Sequence, residues 1–217
     1  MRLNLGCGNT LIDGFINVDN SPSAILSRLP MPILRLMEKI RLINIHQSEF
    51  AQKLRSKKKD FVWSNCLKLP FREGSADLCY SSHMIGWCFS ESQTRAFLTE
   101  IDRVTKPGGF VRLSFFDFDK RVDEFLQHRD TAVLLQCMPL GNRDFYFREK
   151  LKFLFSPNMR GGMVMNRDTM IRLLQERNFR NIQTMKAGET TIPPELVGAL
   201  DLYERSEESV YVECVRG

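Results

Sequence analysis

RLNLGCGNTLIDGFINVD, residues 2–19, holds two short apolar runs separated by a glycine-rich turn. Leu3 to Leu5 is typical of a buried strand. Gly6-Cys7-Gly8 lets the backbone turn sharply and approach a ligand, because two of the three residues have no Cβ. A second apolar run, Phe15 to Val18, ends in Asp19. An acidic side chain at the tip of a second strand, beside a glycine turn, is typical of sites that hold ribose hydroxyls. A plain loop is the alternative interpretation of this stretch alone.

This turn departs from the dinucleotide-binding fingerprint G-x-G-x-x-G in two ways. Leu11 stands at the last glycine position, and Asp19 follows Gly8 by 11 residues, where that fingerprint has about 20. Only nine residues, Gly6 to Gly14, join the two predicted strands, so any helix in this connection is reduced to about one turn. A nicotinamide-dependent oxidoreductase is therefore disfavoured.

Three further strands and a helix follow along the chain. Asp60 to Trp63, Ser75 to His83 and Phe110 to Phe116 are predicted to be strands. Residues 90–104 are predicted to be a helix, with Ser90 and Gln93 as a capping box. Lys106-Pro107-Gly108-Gly109 is expected to end this helix, because proline cannot continue it and glycine tolerates a left-handed cap. The apolar face of the helix is expected to consist of Thr94, Phe97, Leu98, Ile101 and Val104.

The motifs LNLGCG, NVD, LPF, ADLCYSSH and RVTKPGG, in this order, resemble those of class I S-adenosylmethionine-dependent methyltransferases. The sequence is most similar to small bacterial members often linked to glycan or lipopolysaccharide biosynthesis. The resemblance covers residues 2–119 and returns at residues 166–182 and 204–215. It implies one α/β domain over residues 1–217: a Rossmann-like seven-stranded sheet of order 3-2-1-4-5-7-6 with helices on both faces. The last strand, Ser209 to Val215, is then expected to lie antiparallel to strand six, Asn181 to Met185.

The resemblance also implies a cofactor, S-adenosyl-L-methionine, and the residues that would bind it. Gly6, Cys7 and Gly8 would let the backbone approach its methionine part, and Asp19 would accept both ribose hydroxyls. Asn65 and the backbone N–H of Cys66 would lie at the adenine, and Ser81 would border the cofactor. For Asn65, the alternative is a turn former ahead of Leu-Pro-Phe.

His83 ends the fourth predicted strand and is the first candidate for the base that removes a proton from a hydroxyl acceptor. Asp117 is a second catalytic candidate, with Asp119 beside it; their alternative role is to cap the following helix. His83 could equally be a structural histidine. Related sequences often continue S-S-H-x-L-E-H, whereas this chain has Gly86 and Trp87 at the last two positions. The sequence therefore predicts O-methylation of a small-molecule or glycan acceptor, with an inactive cofactor-binding module as the alternative.

Two segments are predicted to be additions to the sheet. Residues 20–60 carry nine Lys or Arg and three Asp or Glu, a net charge of +6 in a chain of +5. One interpretation is a helical insertion packed on the sheet with a solvated basic tail at Lys57-Lys58-Lys59. The other is contact with an anionic membrane surface or an acidic acceptor. Residues 140–165 mix aromatic and basic side chains and are predicted to cover the acceptor site, with ordinary cover helices as the alternative.

The remaining composition excludes several classes of protein. No nucleic-acid-binding motif accompanies the charge, so a nucleic-acid partner is disfavoured. Histidines and the six scattered cysteines form no cluster with metal-ligand spacing, so no metal site is expected. The cysteines show no C-x-x-C pair and indicate reduced thiols, and we expect a cytoplasmic protein.

Overall fold

The computed structural model describes residues 1–21, 23–40, 42–43, 45–56, 60–86, 89–131 and 163–217. Its centre is a seven-stranded sheet of order β3-β2-β1-β4-β5-β7-β6, as predicted. In the spatial run β3-β2-β1-β4-β5 all neighbouring strands are parallel. β7 lies between β5 and β6 and is antiparallel to both. The strands are β1 Arg2–Leu5, β2 Ile16–Asp19, β3 Phe61–Trp63, β4 Ala76–Ser82, β5 Thr105–Phe116, β6 Phe179–Met185 and β7 Ser209–Arg216.

Helices of very different length connect these strands within the described residues. The longest, α4, begins with the predicted capping box of Ser90 and Gln93, and its buried face contains the five residues expected from the sequence. The helices are α1 Ser23–Leu26, α2 Met31–Lys39, α3 Ile45–Ser56, α4 Glu91–Val104, α5 Phe118–His128, α6 Arg167–Gln175 and α7 Pro194–Val197.

α4 ends at the predicted residue, but its cap differs from the prediction. The helix stops at Val104, and its C-cap is Thr105, which is extended and not a left-handed glycine. Thr105 Oγ1 donates to the carbonyl oxygen of Ile101 at 2.7 Å, so the side chain satisfies a carbonyl group of the last turn. The residue before a proline avoids helical backbone angles, so Lys106 favours extension directly after Thr105. As a result β5 begins at Thr105, five residues before the predicted start.

The core lies on both faces of the sheet. Cys79 belongs to a large cluster that includes Phe97 of α4 and Leu173 of α6. Leu78 and Tyr80, which alternate with Cys79 along β4, belong to a second cluster that includes Ile192 and Leu200. Side chains from the loops and helices thus cover the central strands on both sides and leave the strand ends to form sites.

Helices α1 to α3 follow β2 and form two small cores of their own. Ala24, Phe50 and Leu54 make one, together with the partly buried Leu11 and Phe61. The second cluster contains Leu34, Ile43 and Ala51, with Met37 packed against it. Ile33, Leu36 and Ile40, by contrast, are 44%, 56% and 48% exposed. The neighbouring helices therefore cover only part of the apolar side of α2. Lys57, Lys58 and Lys59 lie outside the described residues.

None of the helices within the described ranges is long and apolar enough to cross a membrane.

Candidate functional site

Three parallel strands end side by side at one edge of the sheet. β1 lies between β2 and β4, with Leu5 opposite Val18 and Asn4 opposite Tyr80. In an open parallel sheet the loops after such strands form the ligand crevice. Here those loops carry Gly6 to Gly8, Asp19, and Ser82 with His83. The structure therefore brings the glycine turn, the acidic residue and the histidine of the sequence analysis to a common edge.

The two glycines of the turn have left-handed backbones, with φ of +68° at Gly6 and +46° at Gly8. Their surroundings differ. A Cβ at Gly6 would overlap the sulfur of Met84, so Gly6 lets the segment after β4 pack against the turn. A Cβ at Gly8 would meet no atom within 4 Å and would point into open space. Gly8 is therefore the glycine that leaves room for a ligand. Cys7 between them is buried at 5% exposure, and burial raises the pKa of its thiol.

The carboxylate of Asp19 lies against this turn. Asp19 Oδ2 accepts from the Gly8 N–H at 2.9 Å, and Oδ1 accepts from the Ser21 N–H at 2.6 Å. Burial nevertheless raises the pKa of the Asp19 carboxyl above its usual value, because desolvation outweighs these two hydrogen bonds. Each oxygen accepts one backbone hydrogen bond and keeps a lone pair for a further donor. The group can therefore accept hydroxyls at the carboxyl end of β2.

A pair of buried amides holds the connection between β1 and β2. Asn4 Nδ2 donates to Asn17 Oδ1 at 2.8 Å and to the carbonyl oxygen of Thr10 at 2.7 Å. Asn17 Oδ1 also accepts from the Ile12 N–H at 2.9 Å, and its Nδ2 donates to the carbonyl oxygens of Ile12 and Phe15 at 3.2 Å. The two amide side chains form hydrogen bonds with backbone N–H and carbonyl groups of the loop, which in a helix would bond to each other. Residues 6–15 accordingly form turns without the single helical turn that their length allowed.

After β3, the structure places Asn65 in a turn. Asn65 Oδ1 accepts from the Leu67 N–H at 2.9 Å, and its backbone carbonyl accepts from the Lys68 N–H at 3.0 Å. This geometry is that of the turn-forming asparagine that the sequence analysis kept as an alternative. Asn65 is exposed and Cys66 is 4% exposed. Since Trp63 lies opposite Asp19 in the sheet, both residues follow β3 at the site edge.

Ser81 and His83 occupy the end of β4. Ser81 is 1% exposed, and its Oγ has no hydrogen-bond partner among the described residues. His83 is 8% exposed, has a left-handed φ of 52°, and packs edge-on against the ring of Phe116 at 4.7 Å. Its backbone N–H donates to the Ser114 carbonyl oxygen at 2.8 Å, which fixes the residue to β5. Buried polar atoms without partners are rare, so both side chains are candidates for contact with a ligand.

The hydrogen bonds of His83 define its tautomer. Ser209 Oγ donates to the carbonyl oxygen of Arg205 at 2.6 Å, so its one proton is used there. The same Oγ lies 2.7 Å from His83 Nε2 and must accept from it. Nε2 therefore carries the proton, and Nδ1 keeps a lone pair with no partner in the described part of the chain. Burial, with a smaller effect of the positive charge of Arg205, lowers the pKa of His83 to about 4, so the ring is neutral at pH 7.

Asp117 and Asp119 lie at the beginning of α5. Asp117 is the N-cap, and its Oδ1 accepts from the backbone N–H groups of Asp119 at 3.1 Å and Lys120 at 3.5 Å. Asp119 Oδ1 accepts from Asn166 Nδ2 at 3.2 Å. A carboxylate at this position satisfies backbone N–H groups that the first turn of a helix leaves without partners. The geometry favours the capping role for Asp117, the second catalytic candidate.

Residues 140–162 of the predicted acceptor cover lie outside the described residues, and so does Trp87. The three residues that follow are anchored next to the site. The Met163 N–H donates to the Phe89 carbonyl oxygen at 2.9 Å, and the carbonyl oxygen of Met165, which is 3% exposed, accepts from the Phe118 N–H at 3.4 Å. Residue 163 therefore lies beside the segment that follows His83. The role of residues 140–165 as an acceptor cover stays a prediction.

Four residues near this edge were not identified from the sequence: Asn4, Asn17, Met84 and Ser209. Asn4 and Asn17 could have been found, since each interrupts a short apolar strand, and the two lie opposite each other in the sheet. Ser209 could not, because it reaches His83 from a strand 126 residues away.

Comparison with known proteins bears on the fold of the chain. A model of the family described as "Methyltransferase domain" matches residues 30–113, from the start of α2 to within β5. A SAM-dependent methyltransferase from Methanosarcina mazei superposes with a TM-score of 0.52 at 14% identity, over 99% of this chain and 91% of that one. The chain has the class I methyltransferase fold. The resemblance stated from the motifs is thus confirmed in the fold and in the matched segment.

The chain is also similar to a second solved structure and, over a short segment, to a curated protein. The PH0226 protein from Pyrococcus horikoshii OT3 superposes with a TM-score of 0.53 at 16% identity, over 100% of this chain and 83% of that one. A malonyl-[acyl-carrier protein] O-methyltransferase from Erwinia billingiae is 45% identical over 51 residues, which is 24% of this chain. The chain spans only 19% of the length of that curated relative, so the match does not identify a substrate for this chain.

Proposed function

We propose that this methyltransferase-fold protein transfers a methyl group from S-adenosyl-L-methionine to a hydroxyl of a small-molecule or glycan acceptor. One observation carries the proposal: the glycine turn, the Asp19 carboxylate and the unprotonated Nδ1 of His83 share the edge where β1, β2 and β4 end. A cofactor that carries a nucleoside needs the glycine turn and the Asp19 carboxylate. A hydroxyl acceptor needs the base, His83 Nδ1.

The residues of this edge fit the cofactor. Gly8 faces open space, Asp19 keeps acceptor capacity for two ribose hydroxyls, and the Oγ of Ser81 has no partner within the described ranges. Asn65 and Cys66 are proposed to border the adenine, and Gly6 and Cys7 to form the floor beneath the methionine part. When bound, the cofactor supplies a methyl group already activated by a positively charged sulfur. The protein then has to hold the acceptor oxygen in line with that methyl group.

His83 is the proposed base. As the new carbon–oxygen bond forms, the acceptor oxygen becomes strongly acidic, and its proton moves to His83 Nδ1. A late transfer of this kind needs only a weak base, so a histidine with a pKa of about 4 is sufficient. The hydrogen bond from Nε2 to Ser209 keeps the free lone pair on Nδ1 throughout. The proton is afterwards lost to solvent, because the buried imidazolium is unfavourable.

Two observations bear on the acceptor. The matched relative from Erwinia billingiae is by its name an O-methyltransferase, which favours oxygen as the methylated atom. Residues 140–165 carry aromatic and basic side chains that suit sugars and carboxylate or phosphate groups, and we propose that they cover the acceptor. Turnover should therefore be screened on sugar nucleotides, glycans and a malonyl acyl-carrier protein.

An inactive cofactor-binding module is the second candidate function. It is motivated by Gly86 and Trp87, which replace the acidic and histidine residues of the related motif. In that case the protein would bind S-adenosylmethionine and methylate none of the screened acceptors. It would also show no release of the demethylated cofactor above the rate of a His83→Gln variant.

The experiment that tests the base is a single-turnover measurement on His83→Gln with any acceptor that the screen identifies. If Nδ1 accepts the proton, the chemical rate falls about 10²- to 10⁴-fold while cofactor affinity is nearly unchanged. His128→Gln, which changes an exposed histidine on α5, is the matched control and should leave the rate as it was. A folded His83→Gln protein with the normal rate would rule out the base.

A further inference from the structure

The exposed apolar side chains of this protein are concentrated in one segment. Of the ten large hydrophobic residues that are exposed in the described chain, six lie between residues 25 and 45. We call these six residues the α2 patch. Its members are Ile25 (54% exposed), Ile33 (44%), Leu36 (56%), Ile40 (48%), Leu42 (60%) and Ile45 (56%). Exposed aliphatic residues scattered singly need no explanation, whereas neighbouring exposed apolar residues are typical of contact surfaces.

The geometry of α2 shows why three of these residues face outward. At about 100° per residue, Ile33, Leu36 and Ile40 fall within about 60° of each other on the helix. Leu34, about 100° from Ile33 on the other margin of the apolar side, is fully buried and packs with Ile43 and Ala51. The apolar sector is thus wider than the part that α3 covers. About half of it packs inside the protein, and the other half is presented to the outside.

The charge around the α2 patch is positive. Arg28, which precedes α2, and Arg35 and Lys39 on it are exposed, and by the same helical spacing Lys39 lies about 60° and Arg35 about 100° from Leu36. Residues 20–60 as a whole carry a net charge of +6, and the rest of the chain is close to neutral. A helix with an exposed aliphatic stripe flanked by basic residues is typical of one that lies in the headgroup layer of an anionic membrane.

Other occupants fit this surface less well. A second copy of the chain would bring a second net charge of +6 against the first, which opposes association. Protein interfaces are enriched in aromatic residues and depleted in lysine. The α2 patch contains only isoleucine and leucine, and a lysine borders it. Aliphatic side chains beside basic ones match hydrocarbon beside anionic headgroups.

We propose that the α2 patch and its flanking basic residues dock the protein on an anionic lipid surface. The docked helices would lie next to the sheet edge where β1, β2 and β4 end, because α3 contacts the loop between β1 and β2. Lys53 Nζ donates to the carbonyl oxygen of Asn9 at 3.2 Å, and Phe50 and Leu54 pack with Leu11. Docking would therefore hold the methyl-transfer site close to the headgroups. The proposal does not depend on methyl transfer, and vesicle binding tests it without any acceptor.

The test is co-sedimentation of the full chain with two kinds of vesicle, phosphatidylcholine alone and phosphatidylcholine mixed with phosphatidylglycerol. The protein should bind the mixed vesicles at low salt, lose affinity as salt rises, and bind the neutral vesicles much more weakly. Arg35→Gln with Lys39→Gln should weaken binding about 30-fold, at about fivefold per basic residue near an anionic surface. Arg172→Gln with Lys186→Gln removes two exposed charges elsewhere and is the matched control.

The apolar contribution has its own pair of variants. Leu36→Ser should weaken binding to the mixed vesicles at least about tenfold, because a leucine side chain no longer enters the lipid. Leu126→Ser changes a leucine of similar exposure, 52%, on α5 and should leave binding unchanged. Equal weakening by both serine variants, or equally low binding of wild type to both kinds of vesicle, would overturn the proposal. So would a dimer in sedimentation velocity that Leu36→Ser abolishes while vesicle binding persists.

Discussion

The neutral, buried His83 makes the stability of this protein depend on pH in a calculable way. Burial lowers the pKa of His83 to about 4 in the native state, while the histidine of an unfolded chain has its ordinary value of about 6.5. Between these two values the unfolded chain takes up a proton that the native protein does not. Lowering the pH therefore favours the unfolded state, and the stability is retained above about pH 6.5.

The magnitude follows from the difference between the two pKa values. Each pKa unit is worth about 1.4 kcal/mol, so His83 alone costs the native state about 3 kcal/mol when the pH has fallen to its native pKa. About 2 kcal/mol of this loss occurs between pH 7 and pH 5. Other titrating groups add their own pH dependence, so the contribution of His83 has to be obtained as a difference from a variant.

His83→Asn is the suitable variant, because asparagine tolerates the left-handed backbone that His83 adopts and does not titrate. The assay is urea unfolding of wild type and variant at pH 7 and pH 5. The free energy of unfolding of the wild type should fall by about 2 kcal/mol more than that of the variant. His128→Asn, at an exposed position on α5, is the control and should behave like the wild type. If wild type and His83→Asn lose stability in parallel, the histidine is not held neutral and the burial argument fails.

Three other variants separate structural roles from ligand contacts. Gly8→Ala should fold, because its Cβ meets open space, at a cost of about 1 kcal/mol for the left-handed backbone, and should weaken S-adenosylhomocysteine binding in calorimetry. Asn17→Ala should lower the free energy of unfolding by about 2–3 kcal/mol in urea, because it leaves loop groups unsatisfied; an unchanged value would exclude the amide pair as a support of the turn. Asp117→Ala should cost about 1 kcal/mol through loss of the α5 cap and leave the methyl-transfer rate unchanged, whereas a large fall in rate at unchanged stability would restore Asp117 as a base.

The topology of the sheet could be predicted because short local patterns identify each strand and the resemblance orders them. β1, β2 and β4 were placed within one residue at their beginnings and ends, since apolar runs end at glycine or polar residues there. The capping box of α4 was predicted for the same reason, because Ser90 and Gln93 act within one turn. The C-cap of α4 and the early start of β5 at Thr105 were not predicted, because Thr105 and Pro107 favour an extended chain where the following glycines suggested a left-handed cap.

Long-range partners could not be predicted from the sequence. The sequence singled out His83, but its tautomer depends on Ser209 and on the carbonyl group of Arg205. The buried ion pair between Arg112 and Glu213 is a similar case, since the two residues lie opposite each other only after β5 and β7 pair. The exposure of Leu36 could not be predicted either. Helical spacing identifies the apolar side of a helix but not how much of that side another helix covers.

The central claim is that Asp19 and the glycine turn form the cofactor site, and calorimetric titration with S-adenosylhomocysteine tests it most directly. The wild type should bind. Asp19→Asn and Asp19→Ala should each weaken binding, the latter by roughly 1.5–3 kcal/mol, the scale of hydrogen bonds to a charged group. Asp168→Ala, an exposed carboxylate on α6, should bind like the wild type. A folded Asp19→Ala protein with wild-type affinity, or a wild type that does not bind, would contradict the account.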